Sequence, residues 1–175
     1  MRCLNCNLDG VPLSAQICPQ CRVPLHSLMR NLLPIGSLLQ GGTYRIDYAL
    51  GRGGFGITYR ATHQNLEQCV AIKEFYPKEH VMRNITRGIT IPENHKEAYK
   101  RGLKRFLREG RILATLNHAN VVRVQDLFEE QDTAYLVMEL VTGKTLKDEL
   151  KSQPERRLPI KRVEEVMEQL VAALE

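Results

Sequence analysis

With 175 residues, of which 43% are hydrophobic and 26% charged, the chain has the profile of a soluble globular protein. That length suits one ordinary domain, or a small module joined to part of a larger one. The absence of low-complexity tracts, internal repeats and any apolar run near the roughly 18–20 residues needed to cross a bilayer excludes fibrous, disordered and membrane-spanning classes for these residues, and the net charge of +5 permits an anionic partner without requiring one.

The chain opens on Met1-Arg2-Cys3, with cysteine pairs where a secretion signal would need an apolar core, so it reads as cytoplasmic, although a longer parent could carry a membrane segment past residue 175. Four of the five cysteines form Cys3-x-x-Cys6 and Cys18-x-x-Cys21, separated by eleven residues. Two residues between thiolates let the chain turn back and present both sulfurs to one ion, and two such knuckles complete a tetrahedral site. Asp9-Gly10 supplies a turn between them. So short a module cannot bury enough apolar surface to fold unaided, and a structural zinc ion is the expected staple. Four sulfur ligands leave no open position for catalysis. Residues 1–25 therefore read as a zinc ribbon that binds proteins, nucleic acids or nothing. The fifth cysteine, Cys69, opens the apolar run Cys69-Val70-Ala71-Ile72 and reads as a small core hydrophobe.

Residues 26–42, with Pro34, Gly36, Gly41 and Gly42 among scattered leucines, read as a linker in which Leu32, Leu33 and Leu38 are candidates to dock on a neighbour. The linker is expected to let ribbon and second domain behave independently. A strand is predicted from Tyr44 to Leu50. It runs into Gly51-Arg52-Gly53-Gly54-Phe55-Gly56, whose G-x-G-x-x-G spacing alone is weak, since a dinucleotide-binding turn shares it. The context separates the two: the following Ile57-Thr58-Tyr59-Arg60-Ala61-Thr62 is β-branched and aromatic, so the chain returns as a strand and not as a helix. A strand–glycine turn–strand hairpin can fold over a triphosphate, because glycines let backbone N–H groups approach the anion.

The next strand, Cys69 to Phe75, contains Val70-Ala71-Ile72-Lys73. At this distance after the glycine hairpin, the motif resembles the third strand of eukaryotic-type serine/threonine protein kinases. The resemblance implies that Lys73 contacts the α- and β-phosphates of ATP and needs a carboxylate partner. A long helix ending Arg105-Phe106-Leu107-Arg108-Glu109-Gly110-Arg111-Ile112-Leu113 is followed by His118-Ala119-Asn120, which looks like the end of the kinase C-helix and its turn. On that match Glu109 is the partner; Glu79, Glu93 and Glu97 are rivals without the downstream match. The basic residues Lys96, Lys100, Arg101, Lys104, Arg105, Arg108 and Arg111 read as this helix's solvated face, opposite Leu103, Phe106, Leu107, Leu113 and Leu116, so no nucleic acid is expected. Residues 76–95, with turn signals at Tyr76-Pro77, Asn84, Gly88 and Pro92, read as an ordered insertion resembling that of bacterial kinases with Ile-Lys-Glu-Phe/Tyr at this place.

Strands are predicted at Val124–Glu129 and Ala134–Leu140. The second resembles the last N-lobe strand and hinge. The resemblance implies an ATP pocket in which Leu50, Gly51, Arg52, Gly53, Gly54, Phe55 and Gly56 cover the phosphates. Thr58 (where the family usually has Val) and Ala71 enclose the adenine, Met138 lies beside it, and backbone groups of Glu139 and Val141 meet its edge. A short helix after Thr142 and an amphipathic one over Lys161–Leu174, with Val163, Val166, Met167, Leu170 and Leu174 on one face, read as the first C-lobe helices.

The expected architecture is thus α+β: zinc ribbon (1–25), linker (26–42), protein-kinase N-lobe of antiparallel sheet plus C-helix (43–141), and the start of a C-lobe (142–175). The expected function is ATP-dependent phosphoryl transfer to protein Ser or Thr in a complete enzyme. The magnesium ligands and catalytic loop the family requires are not found in these residues, and Asp126-Leu127-Phe128 lacks the glycine of the metal-binding motif. The 175 residues alone are expected to be inactive and to self-associate through the last helix. Two other readings stay open: a non-catalytic nucleotide-binding or regulatory module, and a zinc-ribbon interaction protein.

Overall fold

The computed structural model describes residues 1–84 and 86–174; Ile85, inside the expected insertion, and Glu175 lie outside the described residues. A short helix, α1 (Leu25–Met29), follows the cysteine module. Next come β1 (Leu38–Leu39), β2 (Tyr44–Arg52), β3 (Gly56–His63) and β4 (Gln68–Phe75). A hairpin of β5 (Met82–Arg83) and β6 (Ile89–Thr90) leads into the long helix α2 (Lys96–Thr115). Then follow β7 (Val124–Glu130), β8 (Thr133–Glu139), α3 (Leu146–Ser152) and α4 (Ile160–Ala172). Six strands form one antiparallel sheet in the order β1-β2-β3-β4-β8-β7.

The period of two along β4 divides its side chains cleanly. Ala71, Lys73 and Phe75 share one face with their cross-strand partners Met138, Leu136 and Thr58. Val70, Ile72 and Glu74 share the other with Ile57, Tyr59, Tyr135 and Val137. Helix α2 covers the first face, here called inner. Its packed stripe of buried Tyr99 and Gly110 with half-buried Leu103 and Phe106 recurs every three or four residues, and Phe75 packs on Tyr99 and Phe106 with ring centroids 5.3 and 5.5 Å apart. A β-carbon at Gly110 would lie 3.2 Å from side chains of Leu127 and Leu136, so glycine there permits the helix its close approach.

The outer face is covered as well, by the linker and the insertion. Leu33, Leu39, Tyr76, Val81 and Ile89 are all buried in the same core as Ile46, Tyr59 and Ile72. The segment after the ribbon is therefore built into the lobe: it contributes β1, and it seats Leu32 and Leu33 against the sheet. Leu4 of the ribbon packs on this core too.

Three sequence expectations are corrected here. Leu38 faces solvent and Leu39 is the buried member, because the edge pairing Leu38↔Arg45 turns that side chain outward. Cys69 is exposed, since β4 begins at the solvated end of the sheet, and its Sγ accepts a hydrogen bond from the Arg60 guanidinium at 2.8 Å. Leu113 and Leu116 do not share the buried stripe of α2; they lie exposed in its last turn and at its C-cap.

Candidate nucleotide and metal sites

In the N-terminal module the two knuckles are built alike. Asn7 N–H donates to the Cys3 carbonyl and Arg22 N–H to that of Cys18, at 2.9 and 3.0 Å. Asn7 and Arg22 each take a positive φ, 63° and 61°, which turns the chain back on itself. The four Sγ atoms of Cys3, Cys6, Cys18 and Cys21 lie within 4.8 Å of one another, with Cys3–Cys21 at 3.7 Å and Cys6–Cys18 at 3.6 Å. Disulfide sulfurs would sit at about 2.05 Å, whereas Zn–S bonds near 2.3 Å give tetrahedral edges of about 3.8 Å. The set has the dimensions of one four-sulfur metal site. A hydrogen bond from Asn5 is the main cause that holds the Cys21 thiol down to about 6. Against the lowering Leu8 amide, desolvation and the other thiols raise Cys6 to about 12. The ring of sulfurs thus disfavours full deprotonation until a cation compensates the charge.

The glycine hairpin lies across the sheet. Gly51 and Arg52 end β2, Gly53, Gly54 and Phe55 make the turn, and Gly56 opens β3. Gly53 N–H donates to the Gly56 carbonyl at 2.8 Å and closes the turn. Glycine is required at 56 by packing, since a β-carbon would meet the Glu74 carbonyl oxygen at 2.5 Å. At Gly51 and Gly54 the corresponding space is open, and at Gly53 only the Gly56 carbonyl oxygen comes near, at 3.9 Å, leaving the backbone approachable. Leu50 falls at a register irregularity between Ala49 and Gly51, half-buried. Phe55, at the tip, is 80% exposed.

Cross-strand pairing sets Thr58 beside Lys73 and Ala71 beside Met138, all on the inner face. Glu139 ends β8, with its carboxylate accepting the Arg123 N–H at 3.0 Å, and Val141 lies exposed just beyond. Lys73 and Glu109 come from different elements yet line one cavity of about 440 Å³, together with Phe55, Phe75, Arg105 and Phe106. Glu109 is turned toward its own helix, accepting from Arg105 Nε at 2.7 Å. That hydrogen bond first, and the Lys73 charge to a smaller extent, hold the Glu109 carboxyl below its ordinary value. No ion pair joins Lys73 and Glu109 among the described residues. The rivals Glu79, Glu93 and Glu97 do not line this cavity; Glu93 and Glu97 pair with Lys96 and Lys100. The competing role of Arg105 had a visible signal, its spacing of four from Glu109.

Glu74, the neighbour of Lys73, carries a feature that the sequence did not announce. Its side chain is fully buried on the outer face. The carboxylate accepts Arg83 Nη2 at 2.8 and 2.7 Å, Tyr59 Oη at 2.9 Å and Tyr135 Oη at 3.3 Å. Burial pushes this carboxyl above its ordinary value, against the pull of Arg83 and the two hydroxyls.

Comparison with known proteins fits this geometry. The description "Protein kinase domain" matches residues 44–175. The serine/threonine-protein kinase pkn2 of Myxococcus xanthus is 32% identical over 143 residues, covering 82% of this chain and 15% of pkn2. The serine/threonine-protein kinase PrkC of Bacillus subtilis strain 168 is 34% identical over 133 residues, covering 76% of this chain and 18% of PrkC. The apo form of PpkA-294 superimposes with a TM-score of 0.70 at 36% identity, over 75% of this chain and 47% of that one. The PknI kinase domain of M. tuberculosis shares the fold with a TM-score of 0.60 at 21% identity, over 81% of this chain and 49% of its own. The chain thus spans under a fifth of the length of these two curated relatives and about half that of the solved structures. With the glycine hairpin, the inner-face lysine and the helix glutamate in one matched stretch, the chain belongs to the protein kinase domain family.

Proposed function

We propose that this chain is the ATP-binding part of a serine/threonine protein kinase that transfers the γ-phosphate of ATP to Ser or Thr of a protein substrate. The observation that carries the reading is the cavity under the glycine turn, walled by Lys73 from β4 and Glu109 from α2. In this reading Gly51–Gly56 cover the phosphates with backbone N–H groups, and Lys73 meets the α- and β-phosphates as a point charge. Ala71, Thr58 and Met138 flank the adenine, and the backbone of Glu139 and Val141 meets its edge. Glu109 holds Lys73 once it leaves Arg105, a rotamer exchange within one cavity. Among the described residues Glu109 is the one carboxylate lining that cavity, and it serves Lys73; the magnesium that accompanies ATP would neutralise phosphate charge.

Replacing Lys73 by Met removes a charged contact to phosphate worth about 1.5–3 kcal/mol, so affinity for an ATP analogue should fall roughly tenfold to a hundredfold. Titration by calorimetry or a fluorescent nucleotide checks this, and an unchanged affinity would remove Lys73 from the site.

The four-sulfur set is assigned to structural zinc, and the free thiols suit a cytoplasmic location. No helix among the described residues is long and apolar enough to cross a membrane. The purified chain should carry about one zinc per molecule. Zinc uptake by metal-free protein should release protons, with affinity falling as pH falls, because each thiol must ionise to bind. Elemental analysis and a pH-indicator titration test both statements; reduced protein without stoichiometric metal contradicts the first. The exposed apolar face of α4 is the surface through which the chain would self-associate.

A further inference from the structure

We infer that the linker after the ribbon holds the glycine hairpin in place from the outer side of the sheet, with Arg52 and Arg83 as the positioning residues. The inference rests on reading that hairpin as nucleotide-binding only for its consequence, not for its test.

Arg52 lies inside the glycine motif, and its pairing with Ile57 sets it on the outer face, away from the cavity. There its guanidinium donates to the Arg30 carbonyl at 3.1 Å and stands 5.8 Å from the Tyr76 ring centroid. Arg83, from the insertion, lies over the same ring at 5.2 Å. Besides the two bonds to Glu74, its Nε donates to the Asn31 carbonyl at 2.8 Å. A third tie runs from the Leu33 N–H to Tyr59 Oη at 3.0 Å, and Tyr59 in turn donates to Glu74. Linker residues 30, 31 and 33 are thus bonded to the hairpin, the insertion and β3.

The other end of this short stretch belongs to the ribbon. Leu25 and Leu28 of α1 pack with Cys3, Val11 and Cys18, whereas Leu32 and Leu33 pack with the sheet. Only Met29, Arg30 and Asn31 lie between Leu28 and Leu32, and Leu32 N–H donates to the Met29 carbonyl at 3.1 Å, so the connection holds little slack. A four-sulfur module of this size is held together by its metal. Metal loss frees α1, and with it the carbonyls that Arg52 and Arg83 grip. Linker and insertion together therefore transmit the state of the cysteine site to the turn that covers the cavity.

The test is hydrogen exchange on the full 175-residue chain without nucleotide, zinc-replete against zinc-stripped. The amides to follow are Gly53, bonded to the Gly56 carbonyl, and Tyr76, bonded to the Phe55 carbonyl. Stripping should accelerate exchange in residues 50–56 and 76–83 by about tenfold or more, as expected when a cooperative unit loses an anchor. Arg52→Leu, at an exposed position, should exchange fast in residues 50–56 with or without zinc. Lys73→Met should keep the zinc response, so weak nucleotide binding and loss of this coupling are separate failures. The proposal is overturned if the ribbon loses protection while residues 50–56 and 76–83 keep theirs. It is also overturned if Arg52→Leu still responds to zinc as the parent does.

Discussion

Arg83→Met should lower the stability of the lobe by about 3–5 kcal/mol, the usual consequence of leaving one member of a buried pair without the other. The side chains of Glu74 and Arg83 are 0% and 6% exposed, so solvent cannot take over the lost contacts. The substitution removes two of the four hydrogen bonds to the Glu74 carboxylate and uncaps the carbonyls of Asn31 and Arg87. Urea unfolding followed by circular dichroism would show a lower midpoint with little change in slope. Surface pairs behave differently. Lys100 and Glu97 are largely exposed, and breaking that pair should change stability by no more than about 0.5 kcal/mol. Adding Glu74→Gln to Arg83→Met should recover part of the loss, because a neutral amide can be satisfied by Tyr59 and Tyr135 without a counter-charge. An Arg83→Met protein within about 1 kcal/mol of the parent would show that Glu74 does not depend on this partner.

The distinction between what was legible in the sequence and what was not follows the range of the interactions. The cysteine spacing is local chemistry, and it led directly to a compact four-sulfur set. The strands around Lys73 were legible because apolar alternation and the glycine punctuation lie within each segment, and α2 because its buried stripe has helical period. The register that sets Thr58, Ala71 and Met138 on the face of Lys73 follows from that alternation once the strands pair. Glu74 was hidden for the opposite reason. Beside Lys73 at the end of an apolar run, it carries no local signal of burial. Only the insertion, returning as two strands of two residues each, buries it. Such strands are too short to show any period, and their aromatic and arginine contacts come from residues distant in sequence. The linker misled similarly: Leu38 and Leu39 are equal as hydrophobes, and the edge pairing alone decides which is buried. Leu113 and Leu116 followed the helical pattern, yet at the end of α2 no described element buries them.

The face of α4 carries the other large expected effect. Val163, Met167, Leu170 and Leu174 are exposed at 43, 53, 54 and 87%, with Ile160 and Val171 beside them. One edge of this helix is held: Arg162 grips Glu149 of α3 through Nε at 2.9 Å and Nη2 at 3.3 Å, and Asn120 Nδ2 donates to the Gln169 carbonyl at 2.9 Å. Those bonds fix where the helix lies without covering its apolar side, and no described element packs over it. Each large apolar side chain left in water forgoes about 1.5–3 kcal/mol of burial free energy. Halved for the partial burial already present, the stripe still offers several kcal/mol to any surface that covers it, which is comparable with the whole stability of a modest domain, about 5–15 kcal/mol. A second copy of the chain is always present at its own concentration. The 175-residue protein should therefore self-associate at micromolar concentration, and the association should strengthen on moderate warming as hydrophobic contacts do. Met167→Lys with Leu170→Glu places charges of opposite sign one helical turn or less apart on the exposed face, keeps helix propensity, and should give a monomer. Sedimentation velocity over a hundredfold dilution series distinguishes the outcomes. A parent chain that stays monomeric throughout, with exchange protection along residues 160–172, would show that α4 is stable with its apolar face in water.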